Sequence, residues 1–178
     1  MSNIVYIATS LDGYIAREDG SIDWLMEIPN PDNSDYGFSI FLERIDGIVM
    51  GRNTFETVLG FNEWPYPKSK PIFVLSNSLN VVPGNLSAKV EIVKGELKSI
   101  IESLKHKGMN DLYIDGGKTI QSFLKEDLID EITITKIPIL LGSGIPLFSK
   151  NNLELKFEHA ETVVHNNILV KSKYLRKR

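Results

Sequence analysis

Cysteine is absent from the 178-residue chain, which excludes disulfides and thiolate metal sites and fits a reducing compartment. Histidine is nearly absent. His106, His159 and His165 are scattered, read as surface positions, and have no spacing that suggests metal ligation or a catalytic triad. No apolar stretch reaches membrane-spanning length, and the N-terminus lacks a basic segment ahead of a long apolar core. Net charge is −3, so nothing draws the whole chain toward nucleic acid or a membrane surface. The basic residues near the C-terminus (Lys171, Lys173, Arg176, Lys177, Arg178) alternate with apolar ones and read as a solvated strand end and tail. There are no repeats, low-complexity tracts or linkers. The expectation is a cytoplasmic protein of one domain, residues 1–178, that acts on a small molecule and needs no metal.

What the chain does contain is ordinary globular material, 42% hydrophobic and 24% charged. Short β-rich apolar runs at 4–8, 47–50, 72–75, 90–93 and 112–114 predict buried strands. Between them Leu97, Ile100, Ile101 and Leu104 fall on one face of a helix, which Gly108 is placed to end. Weaker helices are predicted over 34–42, 54–59 and 119–125. The last third changes character. Residues 131–137 alternate polar and apolar, the mark of a half-buried strand. Gly142-Ser143-Gly144 with Pro138 and Pro146 marks a loop. Two further strands are predicted over 153–157 and 168–174, the second preceded by a turn at His165-Asn166-Asn167. Strand and helix in alternation favour an α/β fold in three layers, with a mostly parallel sheet covered by helices on both faces and antiparallel strands added at the end.

Three glycine-bearing segments are candidates for phosphate. Gly117-Lys118-Thr119 imitates the end of a P-loop, but the glycine required five residues earlier is Leu112. Gly142-Ser143-Gly144-Ile145-Pro146 starts like a dinucleotide fingerprint, yet it lacks the third glycine and carries proline where a helix should run. What remains is strand–glycine–helix at two places. Met50-Gly51-Arg52-Asn53-Thr54 and Asp115-Gly116-Gly117-Lys118-Thr119 would each point free backbone N–H groups at an anion. Arg52 adds a forked donor, and the paired glycines permit close approach to a pyrophosphate. Singly, each glycine is equally well an ordinary turn residue. Together they suggest a two-point grip on a dinucleotide.

The order of these motifs resembles the dihydrofolate reductase-like superfamily, and most closely the reductase domain of riboflavin biosynthesis. Ser10-Leu11-Asp12-Gly13-Tyr14-Ile15-Ala16 resembles the riboflavin-type opening, and Gly51-Arg52-Asn53-Thr54 the cofactor motif of both branches. Val74-Leu75-Ser76-Asn77, Ile114-Asp115-Gly116-Gly117 and the ending Leu141 to Phe148 continue the likeness along most of the chain. The resemblance implies NADPH as cofactor. It would place Ala8 and Ile15 on the nicotinamide, and Gly51, Arg52 and Thr54 on the phosphates. Ser76 and Asn77 would hold the 2′-phosphate, and Ile114, Gly116, Gly117, Lys118 and Thr119 would form the pyrophosphate turn. Two positions depart from the pattern. Asp115 stands where family members commonly have the first of three glycines, and Asn77 stands where a basic residue would better match the 2′-phosphate.

The resemblance also implies a carboxylate at Asp35 facing the substrate as catalytic or binding residue; the same residue reads as a helix N-cap. Thr135 occupies a supporting position on a later strand. Asp12 is read either as a substrate contact or as a turn residue, and Trp24 and Phe38, with Phe41, as an aromatic wall or as core. The function implied is hydride transfer to a C=N or C=O bond of a small heterocycle, as in the reduction of a ribosyl imine on a phosphorylated aminopyrimidine. Reduction of dihydrofolate is the second enzymatic reading. An NADP-binding protein without turnover is the third. No basic patch marks a phosphate on the substrate, and a homodimer is expected from the branch.

Overall fold

The apolar runs become a ladder of strands. In a computed structural model describing residues 2–150 and 153–178, the elements in chain order are β1 (Ser2–Thr9), β2 (Tyr14–Ala16), α1 (Asp23–Met26), α2 (Phe38–Arg44), β3 (Gly47–Gly51), α3 (Arg52–Leu59), β4 (Ile72–Leu75), β5 (Val90–Val93), α4 (Leu97–His106), β6 (Asp111–Asp115), α5 (Gly117–Lys125), β7 (Glu131–Lys136), β8 (Ile145–Pro146), β9 (Phe157–His165) and β10 (Leu169–Arg176). Eight strands form one sheet in the order β5-β4-β3-β6-β1-β7-β10-β9. The first six are parallel; β10 and β9 join antiparallel. The fold is α/β in three layers, as the alternation of strand and helix patterns requires.

Both faces of the central strands are covered, so successive residues enter two different cores. Ile48, Met50 and Tyr113 meet Phe41, Leu42, Phe55 and Val58 of α2 and α3. Val49, Leu112 and Ile114 meet Ile100, Leu104, Ile120 and Phe123 of α4 and α5. This two-sided burial explains why the strands read as continuous apolar runs.

Four departures from expectation have local causes. The second helix starts at Phe38 instead of Ser34, because Tyr36 (φ 54) and Gly37 (φ 87) are in left-handed conformations incompatible with a helix. α3 and α5 begin two residues earlier than their apolar pattern suggested, directly at Arg52 and Gly117. The glycine loop near 142–146 contains β8, which pairs with β2; neither was visible as a strand, because each is held by a long-range partner. The strand predicted over 153–157 instead runs Phe157–His165. As the sheet's edge strand it exposes most of its side chains, and so shows no apolar pattern.

The C-terminal cations are also not a free tail. Arg176 makes a two-pronged ion pair with Asp127 (2.6 and 3.0 Å), Arg178 donates to Asp130 (2.6 Å), and Lys173 lies 3.5 Å from Glu131. Glu131 is itself gripped by both prongs of Arg44 (3.0 and 2.7 Å), so β10, β7 and α2 are tied together. No helix among the described residues is long and apolar enough to cross a membrane.

Two strand-to-helix turns interlock at the carboxyl ends of adjacent strands β3 and β6. A Cβ on Gly116, which has φ +90, would lie 2.1 Å from the Thr54 hydroxyl; one on Gly51 would lie 2.9 Å from the Thr119 hydroxyl. Gly116→Ala is therefore expected to destabilise the protein by about 2 to 4 kcal/mol, from left-handed strain and overpacking together. Adding Thr54→Ala should recover part of that loss, as read from urea midpoints.

Candidate functional site

A cleft of about 1310 Å³ opens at the carboxyl ends of the parallel strands, where ligands of open α/β sheets are received. Its origin lies in the register. β1 pairs with β6 only as far as Ile4↔Tyr113, then continues to Thr9 along β7 alone. Past that point β1 and β6 diverge, and the edge of β1 near Ala8 borders the cleft.

The floor is the interlocked pair of turns. α3 and α5 follow the N-cap glycines Gly51 and Gly116, which have no side chain to cap the first helical amides. Two helix amino ends, carrying partial positive charge and N–H donors, therefore open on one place. Gly117 brings this floor against the opening segment, since a Cβ there would lie 2.6 Å from Ile15 Cδ1. Arg52, Thr54, Lys118 and Thr119 line the cleft, Arg52 being half-exposed and only loosely paired with Glu56 at 3.7 Å. At one end Ser76 and Asn77 follow β4; the Ser76 hydroxyl is engaged in its own turn, accepting from the Leu79 amide at 2.9 Å. Lys94, just beyond β5, also lines this end and reaches Asn80 at 3.1 Å. It places a cation at the end of the cleft where Asn77 carries none.

At the other end Ala8, Ile15, Asp35 and Phe38 line the cleft. Asp35 is a cap: its two oxygens accept from the Gly37 and Ser39 amides at 2.8 and 2.9 Å. Hydrogen bonds from Ser39 and Gly37 hold its carboxyl below the usual carboxylate range, so it stays ionised at neutral pH. Tyr36 next to it is fixed through its carbonyl, which accepts from the Tyr6 hydroxyl (3.0 Å) and the Lys171 ammonium (2.7 Å).

Asp115 has the opposite environment. It lies at the tip of β6 on the cleft, and its carboxyl accepts from the Tyr66 hydroxyl at 2.6 Å. Burial pushes its pKa up, against the lowering effect of its tyrosine partners. The departure noted in the sequence is thus a carboxyl whose ionisation burial disfavours.

Four expected site residues do not line the cleft. Ile114 is fully buried against α4 and α5, because alternate residues of β6 face away from the site. Trp24 is 1% exposed and packs on Ile137 and Leu169, apart from Phe38 and Phe41, so it is core rather than aromatic wall. Thr135 is buried in β7 between Ala8 of β1 and Lys171 of β10. Asp12 makes the first turn with Ser10 (2.5 Å) and accepts the Gly142 amide (2.8 Å), tying the opening segment to the late glycine loop. Hydrogen bonding from Ser10 lowers its pKa. Sequence reasoning missed Lys94, Tyr66 and the cleft-lining Leu25, Met26 and Phe61. Of these only Lys94 had a signal, its place at the end of a predicted strand. A second cavity, of about 400 Å³, lies on the far side of β7 and β10 among Leu124, Ile134, Phe157 and Tyr174, away from both helix amino ends.

Comparison with known proteins agrees with this architecture. The chain is 39% identical over 156 residues to YwjB of Bacillus subtilis (strain 168), covering 86% of each chain. A putative riboflavin biosynthesis protein from Shewanella sp. PV-4 has 56% identity and a TM-score of 0.95, with all of both chains covered. A dihydrofolate reductase from Enterococcus faecalis, solved with NADP(H), shares the fold at a TM-score of 0.67 and 18% identity over 99% of this chain and 97% of that one. The RibD C-terminal domain family matches residues 3–169, and the chain belongs to it.

Proposed function

We propose that the protein is an NADPH-dependent reductase that transfers hydride to a C=N or C=O bond of a small heterocyclic substrate. The riboflavin-pathway reduction of a ribosyl imine to a ribityl group is its best analogy. One observation carries the reading: two uncapped helix amino ends meet through Gly51 and Gly116 on the floor of a cleft bordered by the free edge of β1. A pyrophosphate is the ligand such a floor fits. Family membership and a fold shared with a reductase solved with NADP(H) support the same cofactor.

Gly51, Arg52, Thr54, Gly116, Gly117, Lys118 and Thr119 would hold the pyrophosphate. Ser76, Asn77 and Lys94 would take the 2′-phosphate, and Ala8 and Ile15 the nicotinamide. NADPH supplies the hydride when bound; the chain's own residues orient the partners and manage the proton. The two cleft carboxyls divide that work. Asp35, kept ionised by its backbone hydrogen bonds, anchors N–H groups of the substrate. Asp115, whose ionisation burial opposes, is the group we assign to carry the proton. Asp35 beside Phe38 also favours a second reading, reduction of dihydrofolate. NADPH consumption measured first with the aminopyrimidine substrate and then with dihydrofolate separates the two. Tight binding with neither consumed would favour a binding protein without turnover.

Lys94→Ala is expected to raise the KM for NADPH about tenfold and that for NADH less than about twofold. Equal effects on both cofactors would sink the 2′-phosphate assignment. For Asp115, whose pKa is raised on folding, stability is greatest below the unfolded value near ~3.9 and is lost as pH rises through the folded value. Wild type should therefore lose stability relative to Asp115→Asn as pH rises from about 4, in urea titrations. Its kcat should decline over the range where Asp115 ionises, and that limb should vanish in Asp115→Asn.

A further inference from the structure

The cations that line the cleft are gathered at one end of it. Arg52, Lys94 and Lys118 stand at the helix amino ends and beyond β5. Glu96 and Glu126 also border the cleft, the first close to Lys94 and the second at the end of α5. At the opposite end, past Ala8, every charged side chain on the lining is a carboxyl. The turn between β2 and α1 contributes Glu18 and Asp19, and the entrance of α2 contributes Asp35, whereas Asp115 belongs to the floor next to Gly116.

Cations close to that end are committed elsewhere. Arg17 gives both prongs to Asp23 at 2.7 and 2.9 Å. The Lys171 ammonium is held by the Tyr36 carbonyl at 2.7 Å and lies 5.9 Å from the centre of the Tyr6 ring. Neither residue lines the cleft. The remaining wall there is apolar, made of Ile22, Leu25, Met26, Phe38 and Phe61. Met26 is 78% exposed and Phe61 40% exposed, an open apolar rim around a carboxylate-bearing pocket.

We infer that this end of the cleft takes a flat, largely apolar nitrogen heterocycle that is neutral or cationic and carries neither phosphate nor carboxylate. The inference rests on the reductase reading and narrows its substrate class: the reaction would act on an unphosphorylated relative of the aminopyrimidine. Like charges a few ångströms apart in a partly dry cleft repel strongly, whereas a protonated or N–H-rich ring gains from the same carboxylates. The apolar rim favours the two faces of the ring, and Asp35 favours its N–H edge. A ribosyl phosphate would bring a dianion to the acidic end, where no lining cation receives it.

The test uses two matched probes, 2-amino-4-phenylpyrimidine and its para-carboxylate, titrated calorimetrically into the full chain at neutral pH and low salt, with and without NADP+. The uncharged probe is expected to bind at least about tenfold more tightly than the carboxylate. The gap should shrink to less than about threefold in the Asp19→Asn/Asp35→Asn double variant and in high salt. Equal affinities, a preference for the carboxylate, or no binding of either probe would overturn the inference. Cofactor binding is measured separately: failure of NADPH to bind would sink the reductase reading, while the comparison of probes still decides the charge preference.

Discussion

The reciprocal contact between two strand-to-helix turns governs the rest of the site. β3 and β6 are adjacent and parallel, with Met50 opposite Asp115, so the helices that follow them start at the same level. α3 packs on one face of the sheet and α5 on the other. The third residue of each helix is a threonine, and each threonine rests on the other turn's glycine, Thr54 on Gly116 and Thr119 on Gly51. Any side chain at either glycine would force the turns apart. Bringing two helix amino ends this close concentrates partial positive charge, an arrangement that an anion relieves.

A second constraint opens the space above that floor. Sheets bind ligands where neighbouring strands lead their connections in different directions, and here β1 leaves β6 after Ile4. β1 is then supported from one side only, by β7, which is braced by β10 and by the ion pairs of Glu131 with Arg44 and Lys173. The antiparallel addition at the end of the chain therefore has a task at the site. It holds the strand that carries Ala8 while leaving the opposite edge of that strand open. Lys171 extends the bracing to Tyr36, next to Asp35.

Much of this was legible in the chain, for reasons that differ by element. The parallel strands were visible because burial on both faces leaves unbroken apolar runs, and α4 because Leu97, Ile100, Ile101 and Leu104 mark one face. The two glycine turns stood out because strand, glycine and helix signals coincide there. What escaped was set by tertiary partners. β2 and β8 are too short to have a pattern and exist through each other, with Gly144 so close to Ala16 that a Cβ would lie 2.3 Å from its carbonyl oxygen. β9 is exposed and polar at the sheet edge. Spacing alone could not tell that Trp24 would turn inward to Ile137, or that alternation along β6 would send Ile114 away from the cleft and Asp115 onto it. Residue type was a good guide to the floor and a poor guide to the walls.

The two aspartates of the cleft show why residue type is not enough. Asp35 sits exposed at the start of α2, receives two amide hydrogen bonds and is held in its charged form. Asp115 accepts from the Tyr66 hydroxyl at the tip of β6, and burial outweighs its hydrogen bonds and pushes it toward the neutral form. One side chain, in two settings, is pushed in opposite directions within a single cavity: Asp35 toward its charged form and Asp115 toward its neutral form. The sequence contains the two aspartates; only the fold biases them in opposite directions, through amide hydrogen bonds at a helix entrance in one case and burial in the other.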